Sequence, residues 1–142
     1  MSNDEWWADS GLPSSIEVVP VGVVESSLDH PARAPRQADE GAPSAWLVID
    51  PAFGEGLSGL VIGDRVVVVT WLHQARRDVL ATHPRGDTAQ PERGVFGLRS
   101  PDRPNPVGLH PATITAIDGV RVQVDRLEAV DGTPVIDLKS AL

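Results

Sequence analysis

The clearest periodicity in the chain lies between His110 and Asp125. From His110 to Ile117 the residues alternate, with Ala112, Ile114 and Ala116 on one side and Thr113, Thr115 and Ile117 on the other. Asp118-Gly119 then matches a two-residue type I′ hairpin turn. Val120, Val122 and Val124 alternate with Arg121, Gln123 and Asp125 on the way back. The pattern predicts a hairpin with one face in a core and the other in solvent. Upstream, Arg65–Leu72 (RVVVVTWL) is a continuous apolar run that predicts a strand buried on both faces. Ile16–Val24 and Ala45–Ile49 are two further strand candidates, and Pro20 makes the first an edge strand or places a bulge there. Leu127–Val130 follows the hairpin, and Val135–Leu138 is the last strand after the turn motif Asp131-Gly132-Thr133-Pro134. Six or seven short strands and no long amphipathic helix predict an all-β fold, an antiparallel barrel or sandwich. Closing the sheet is one way to dispose of exposed strand edges.

The stretches between strands are long. Glu25–Pro43 is a proline-rich loop containing Pro35-Arg36-Gln37, and Asp50–Gly63 is a glycine-rich loop or short helical turn. Ala75–Gln90 is polar, with turns at Pro84 and at Arg85-Gly86-Asp87. Arg93–Leu109 (RGVFGLRSPDRPNPVGL) packs three prolines, three glycines and three arginines into an ordered loop between apolar flanks. Prolines keep it out of helix and central strand. Guanidinium groups on so stiff a loop lose little entropy on meeting a carboxylate or phosphate; equally, they can be solvated or paired with the chain's own acids. Residues 1–15 predict a flexible tail whose Trp6-Trp7 pair can dock on the domain or on a partner, leaving residues 16–142 as the barrel domain.

Composition narrows the function. The chain has 142 residues, enough for one domain with a real core, and no cysteine, hence no disulfide and no thiolate chemistry. Its start is acidic and lacks the basic and apolar regions of a signal peptide, and no apolar run has the length of a membrane span, so a cytoplasmic location is expected. Twenty acids against twelve bases give a net charge of -8, which argues against broad, sequence-blind nucleic-acid binding. The balance is uneven. Between Trp71 and His110 six arginines and four acids leave a local net of +2. A small basic site on an acidic body suits a compact anionic ligand or a short RNA contact.

The sequence carries no GxGxxG after a strand, no Walker loop and no HExxH. Its four histidines lack metal-site spacing. An enzyme of this composition would work by positioning a reactive cofactor and a substrate. His73-Gln74, at the mouth of the valine-rich strand, reads as a ligand contact or as a capped strand end.

Several separated motifs resemble the TsaA-like, or TrmO, family of S-adenosylmethionine-dependent methyltransferases, over about Val18–Leu142. Val21-Gly22-Val23 resembles the opening strand, Pro35-Arg36-Gln37 the first cofactor-loop motif, and Gly59-Leu60 with His73-Gln74 the next pair. GVFGLRSPDRPNPVGL is similar to the family's longest signature, and Asp131–Lys139 (DGTPVIDLK) to its closing one. The resemblance implies a small antiparallel β-barrel with long ordered loops rather than a doubly wound sheet. It implies S-adenosyl-L-methionine as cofactor, held by Pro35, Arg36, Gln37, His73, Gln74, Arg99, Leu109, Leu127 and Glu128, with Asp131 and Lys139 as catalytic candidates. It also implies a homodimer, and N6-methylation of threonylcarbamoyladenosine in tRNA as the activity. The chain departs from the family pattern at Val61–Val67, where Glu-x-Phe-Ser-His-Leu-Trp is common, and after Lys139, where Pro-Tyr usually follows. A further C-terminal domain carried by some members is not expected in a chain that stops at Leu142. These departures keep two alternatives open: a small-molecule methyl acceptor, or a non-catalytic S-adenosylmethionine-binding module.

Overall fold

The computed structural model describes residues 2–142. Its strands are β1 (Gly22–Glu25), β2 (Ala45–Ile49), β3 (Arg65–Trp71), β4 (Ala81–Thr82), β5 (Arg93–Gly94), β6 (Val107–Asp118), β7 (Arg121–Val124) and β8 (Pro134–Ser140). Six of them close an antiparallel barrel in the order β1-β2-β7-β6-β3-β8, and β4 and β5 form a separate two-stranded ladder. The barrel expectation holds. Its narrowest seam is β1 against β8, where Gly22 and Val23 face Val135 and Pro134.

The alternating side chains fill the interior. Leu47, Val66, Val68, Ile114, Val122, Val124 and Val135 are all buried in one cluster. β3 is not buried on both faces as its apolar run predicts. Val66, Val68 and Thr70 point inward, while Val67, Val69 and Trp71 are half-covered. Nor does Ile16–Val21 form a strand: Ile16, Val18 and Val19 are exposed, and pairing starts at Gly22. Pro20 has no N–H to donate, and β2 ends at Ile49 opposite Gly22, although β8 runs on to Ser140. β6 starts at Val107, inside the segment read as loop, because Val107–Leu109 pair with Trp71–Val69.

β6 changes partner midway. Val107–Thr113 pair with β3, and Ile114–Asp118 pair with β7. The far edge of its first half therefore has no strand beside it, and Pro111 is tolerated there although it cannot complete a ladder on both sides. The irregular segment after β7 covers this edge. Asp125 N–H donates to the Thr113 carbonyl at 3.0 Å, and Thr113 N–H donates to Asp125 Oδ1 at 2.9 Å. Leu127 N–H donates to the Pro43 carbonyl at 3.0 Å. Leu127, Ala129 and Val130 are buried although they form no strand.

Within the region read as a tail, Asn3–Asp9 form a short helix. Its capping box is complete: Glu5 N–H donates to Ser2 Oγ at 3.2 Å and Ser2 N–H to Glu5 Oε2 at 2.7 Å. Trp7 is 63% exposed, and the Trp6 side chain lies outside the described residues.

Gly22 tests the closure. A Cβ there would stand 2.6 Å from the Val48 carbonyl oxygen, a backbone atom of the neighbouring strand. Gly22→Ala must force β1 and β2 apart, and its expected cost is about 1–3 kcal/mol in denaturant unfolding. A variant with wild-type stability would show that the seam is looser than described.

Candidate functional site

In an antiparallel barrel of this order, the ends of β1, β3 and β7 and the starts of β2, β6 and β8 share one rim. The three long connections, residues 26–44, 72–106 and 125–133, all emerge there. The opposite rim carries residues 50–64 and the Gly119–Val120 turn. Ten of the eleven sequence-predicted site residues fall at the long-loop rim: Pro35, Arg36 and Gln37 in the first connection, His73, Gln74 and Arg99 in the second, Leu127, Glu128 and Asp131 in the third, and Leu109 near the start of β6. Lys139 does not. It pairs with Val67, five residues along β8 from its start at Pro134, roughly 17 Å from that rim. There it lines a cleft of about 370 Å³ with Val21, Phe53, Leu57, Leu60 and Val66. This cleft and the connections that carry the other predicted residues thus lie at opposite ends of the barrel.

The arginines of the central loop have separate tasks. Arg103 is half-buried and donates to the carbonyls of Ser100 (2.8 Å), Val95 (2.9 Å) and Leu98. It therefore fixes the fold of residues 95–100 from within. Asp102 Oδ1 accepts from Arg76 N–H at 2.9 Å, and Arg103 N–H donates to the Arg76 carbonyl at 3.0 Å. Arg77 lies over the Trp71 ring, 5.0 Å from its centroid, and donates to the Pro104 carbonyl (2.7 Å) and Asn105 Oδ1 (3.0 Å). These bonds staple the loop to the end of β3. Arg99 is different. It is exposed, reaches the Leu109 carbonyl at 3.4 Å, and has no acidic partner among the described residues.

The first connection is tied to the second. Arg36 Nη1 donates to the Arg85 carbonyl, and Arg85 in turn pairs with Glu40. Arg85 holds a left-handed backbone at φ 52, which a non-glycine residue adopts at some cost. The Arg85 hydrogen bond, helped by its charge, holds the Glu40 carboxyl below the usual carboxylate range. Gln37 is exposed, and its carbonyl accepts from Glu40 N–H at 3.0 Å. His73 and Gln74 are exposed, and among the described residues the His73 imidazole has no hydrogen-bond partner. Leu109 is 51% exposed, whereas the Leu127 side chain is wholly within the core. Asp131 Oδ1 accepts from Ser26 N–H at 3.0 Å and so caps the turn after β1.

Beneath the rim lies a buried polar line that the sequence reading missed. Thr70 Oγ1 and His110 Nε2 are 2.7 Å apart, and His110 Nδ1 is 2.6 Å from Glu128 Oε1. Glu128 Oε2 is buried with no hydrogen-bond partner. The signal for His110 was available: it shares the parity of Ala112 and Ile114, the inward residues of β6. Thr70 and Gly108 share the inward parity of their strands, but nothing in the sequence joins Thr70 to His110, forty residues away, and Arg103 left no mark because its partners are backbone carbonyls of its own loop.

A closed six-stranded antiparallel barrel with its long loops on one rim is a class of domain distinct from the doubly wound nucleotide-binding sheet. The chain belongs to the family described as the tRNA-methyltransferase O N-terminal domain, whose model matches residues 23–142. It is 42% identical over 125 residues to a probable S-adenosyl-L-methionine-binding protein of Halobacterium salinarum, covering 87% of this chain and 96% of that one. It is 39% identical over 120 residues to an S-adenosyl-L-methionine-binding protein of Archaeoglobus fulgidus, covering 84% and 85%. The crystal structure of TrmO from P. aeruginosa superposes with a TM-score of 0.71 at 27% identity, over 93% of this chain and 57% of that one. The chain thus spans just over half the length of that solved protein.

Two predictions test the loop architecture. Arg103→Ala removes the donor shared by three carbonyls, of which Val95 keeps the Leu98 N–H, with an expected loss of about 2 kcal/mol and faster amide exchange at Val95–Leu98. Arg103→Lys should recover little, since an ammonium donates from one nitrogen whereas Nε and Nη2 of the guanidinium meet these oxygens from two fixed positions; wild-type exchange in either variant would contradict this role. Glu40 has a depressed folded-state pKa, so its tether to Arg85 is present above the unfolded glutamate value and is lost as pH falls through the lower folded one. A carboxyl NMR titration should place the Glu40 midpoint below that of an ordinary exposed glutamate, and Arg85→Ala should raise it. A midpoint unmoved by Arg85→Ala would contradict the tether.

Proposed function

We propose that this chain is an S-adenosylmethionine-dependent methyltransferase acting on a tRNA nucleoside, with N6 of threonylcarbamoyladenosine as the acceptor. The observation that supports this reading is that the connections carrying Pro35-Arg36-Gln37, His73-Gln74, Arg99 and Glu128 all emerge at one rim of a barrel of this family. The residues fit the group. The methionine carboxylate calls for a guanidinium, and Arg99 has no acidic partner among the described residues. Adenine calls for apolar cover, and Phe96 and Leu109 are exposed at 87% and 51%. When bound, the cofactor contributes an activated methyl group; the protein's part is to align it with the acceptor and exclude water.

Asp131 belongs to this reading as the group that takes the acceptor proton. Its Oδ1 is engaged by Ser26, which leaves Oδ2 for the substrate. Lys139, at the other rim, can serve the site only across an interface between two copies. A homodimer fits the exposed apolar side chains Leu80, Phe96 and Val107 around the central loop. A cytoplasmic location follows from a tRNA substrate; among the described residues no helix is long and apolar enough to cross a membrane.

A second reading keeps the cofactor and changes the acceptor to a small molecule. The net charge of -8 favours it, as do relatives whose names state binding and no substrate. Calorimetry with S-adenosylmethionine should give tight binding to wild type and binding roughly tenfold to a hundredfold weaker in Arg36→Ala and Arg99→Ala. Wild type should then transfer methyl groups to tRNA that lacks this methylation. Binding without transfer would overturn the tRNA acceptor, and no binding would overturn both readings.

A further inference from the structure

Thr70, His110 and Glu128 form a line across β3, β6 and the segment after β7. Thr70 is fully buried, the His110 side chain is 4% exposed and that of Glu128 17% exposed. A carboxylate only accepts, so with Glu128 in its ordinary charged form and His110 neutral the imidazole hydrogen lies on Nδ1, facing Glu128 Oε1, and Nε2 accepts from the Thr70 hydroxyl. One Glu128 oxygen is engaged in this line and the other, Oε2, is buried and has no hydrogen-bond partner among the described residues.

The surroundings keep this arrangement in place. A Cβ on Gly108 would stand 2.5 Å from both Thr70 Oγ1 and His110 Nε2, so the strand leaves room for that pair and for nothing else. Leu127, immediately before Glu128, is anchored in the core and bonded to the Pro43 carbonyl. An ion pair serving only stability would turn both carboxylate oxygens to donors. Here one oxygen is held just under the surface at the long-loop rim, aimed by two buried side chains, without a donor of its own.

We propose that Glu128 Oε2 accepts a hydrogen bond from a ribose hydroxyl of the adenosyl group, and that Thr70 and His110 are positioning residues that hold it for that purpose. The inference rests on the S-adenosylmethionine reading above. A ribose hydroxyl suits the site because it is a neutral donor that brings one hydrogen to one oxygen; a carboxylate fixed at a strand end is a known solution for ribose. An ammonium would need three acceptors, and a sulfonium has no hydrogen to give.

The test is competition calorimetry with S-adenosylhomocysteine and its 2′-deoxy and 3′-deoxy forms. Wild type should bind one deoxy form about tenfold more weakly than the parent, the loss of one charge-assisted hydrogen bond. Glu128→Gln should bind the parent more weakly and lose the discrimination. Thr70→Val and His110→Gln should blunt it without touching the ligand, while Thr70→Ser restores it. The His110 Nδ1–H should give a far-downfield proton resonance in wild type and Thr70→Ser that is lost in His110→Gln. Equal binding of all three ligands by wild type, or unchanged discrimination in Glu128→Gln, would overturn the ribose contact. Unchanged discrimination in Thr70→Val and His110→Gln would overturn the positioning role. A form lacking the adenine amino group that reproduces the loss in place of the deoxy forms would also overturn it. If a variant fails to fold, the wild-type ligand series still decides. Wild type that binds no S-adenosylhomocysteine would instead sink the cofactor reading itself.

Discussion

The structure depends on the point where β6 exchanges one partner for another. A strand of twelve residues is bonded to β3 over its first half and to β7 over its second. Unpaired backbone on the far side of the first half cannot be left bare in a domain of this size. Asp125 closes it with two hydrogen bonds to Thr113, and the chain beyond is drawn along the edge as a buried, irregular segment. That segment brings Glu128 to His110. The same exchange opens the rim at which three long connections meet. A barrel whose strands all matched in length would have no such opening.

The arginines then divide between building the rim and leaving it reactive. Arg77 and Arg103 are consumed by backbone carbonyls and by Trp71, which makes the proline-rich loop rigid from inside. Arg85 is consumed by Glu40 and holds the first connection against the second. Arg99 is left exposed with one long contact. Its guanidinium stands on a loop that stiff neighbours hold in place, and among the described residues no acid neutralises it. This is how an acidic protein maintains a local basic site.

How much of this was legible in the sequence depends on the range of the interaction. The hairpin of β6 and β7 follows from alternation, and the strands Ala45–Ile49 and Arg65–Trp71 from short apolar runs, all of which are local; the turn itself falls at Gly119-Val120 and not at Asp118-Gly119, because Asp118 pairs with Arg121, and with positive φ at Gly119 alone it is not the expected type I′ turn. The resemblance supplied the rim residues, and the topology gathered them. What was not legible came from contacts made far along the chain. Ile16–Val19 has the composition of a strand but lies exposed before Pro20 and outside the barrel's strands, and β2 ends opposite Gly22. Val107–Leu109 has the surroundings of a loop but meets Val69–Trp71. Leu127–Val130 is apolar because it is buried as an edge cover, not because it is a strand. Lys139 shares a motif with Asp131, yet the strand that begins just after Asp131 carries Lys139 to the other rim. Sequence adjacency within a motif says little about which end of a barrel a residue serves.

The central claim is that ligand binds at the rim of long loops and not in the cleft beside Lys139. Backbone NMR titration with S-adenosylmethionine tests it most directly. Shifts should appear at Arg36, Gln37, His73, Gln74, Arg99 and Glu128, and spread along β6 to His110, while Phe53, Leu57 and Lys139 stay still. Shifts confined to Phe53, Leu57 and Lys139, with the rim silent, would contradict the account.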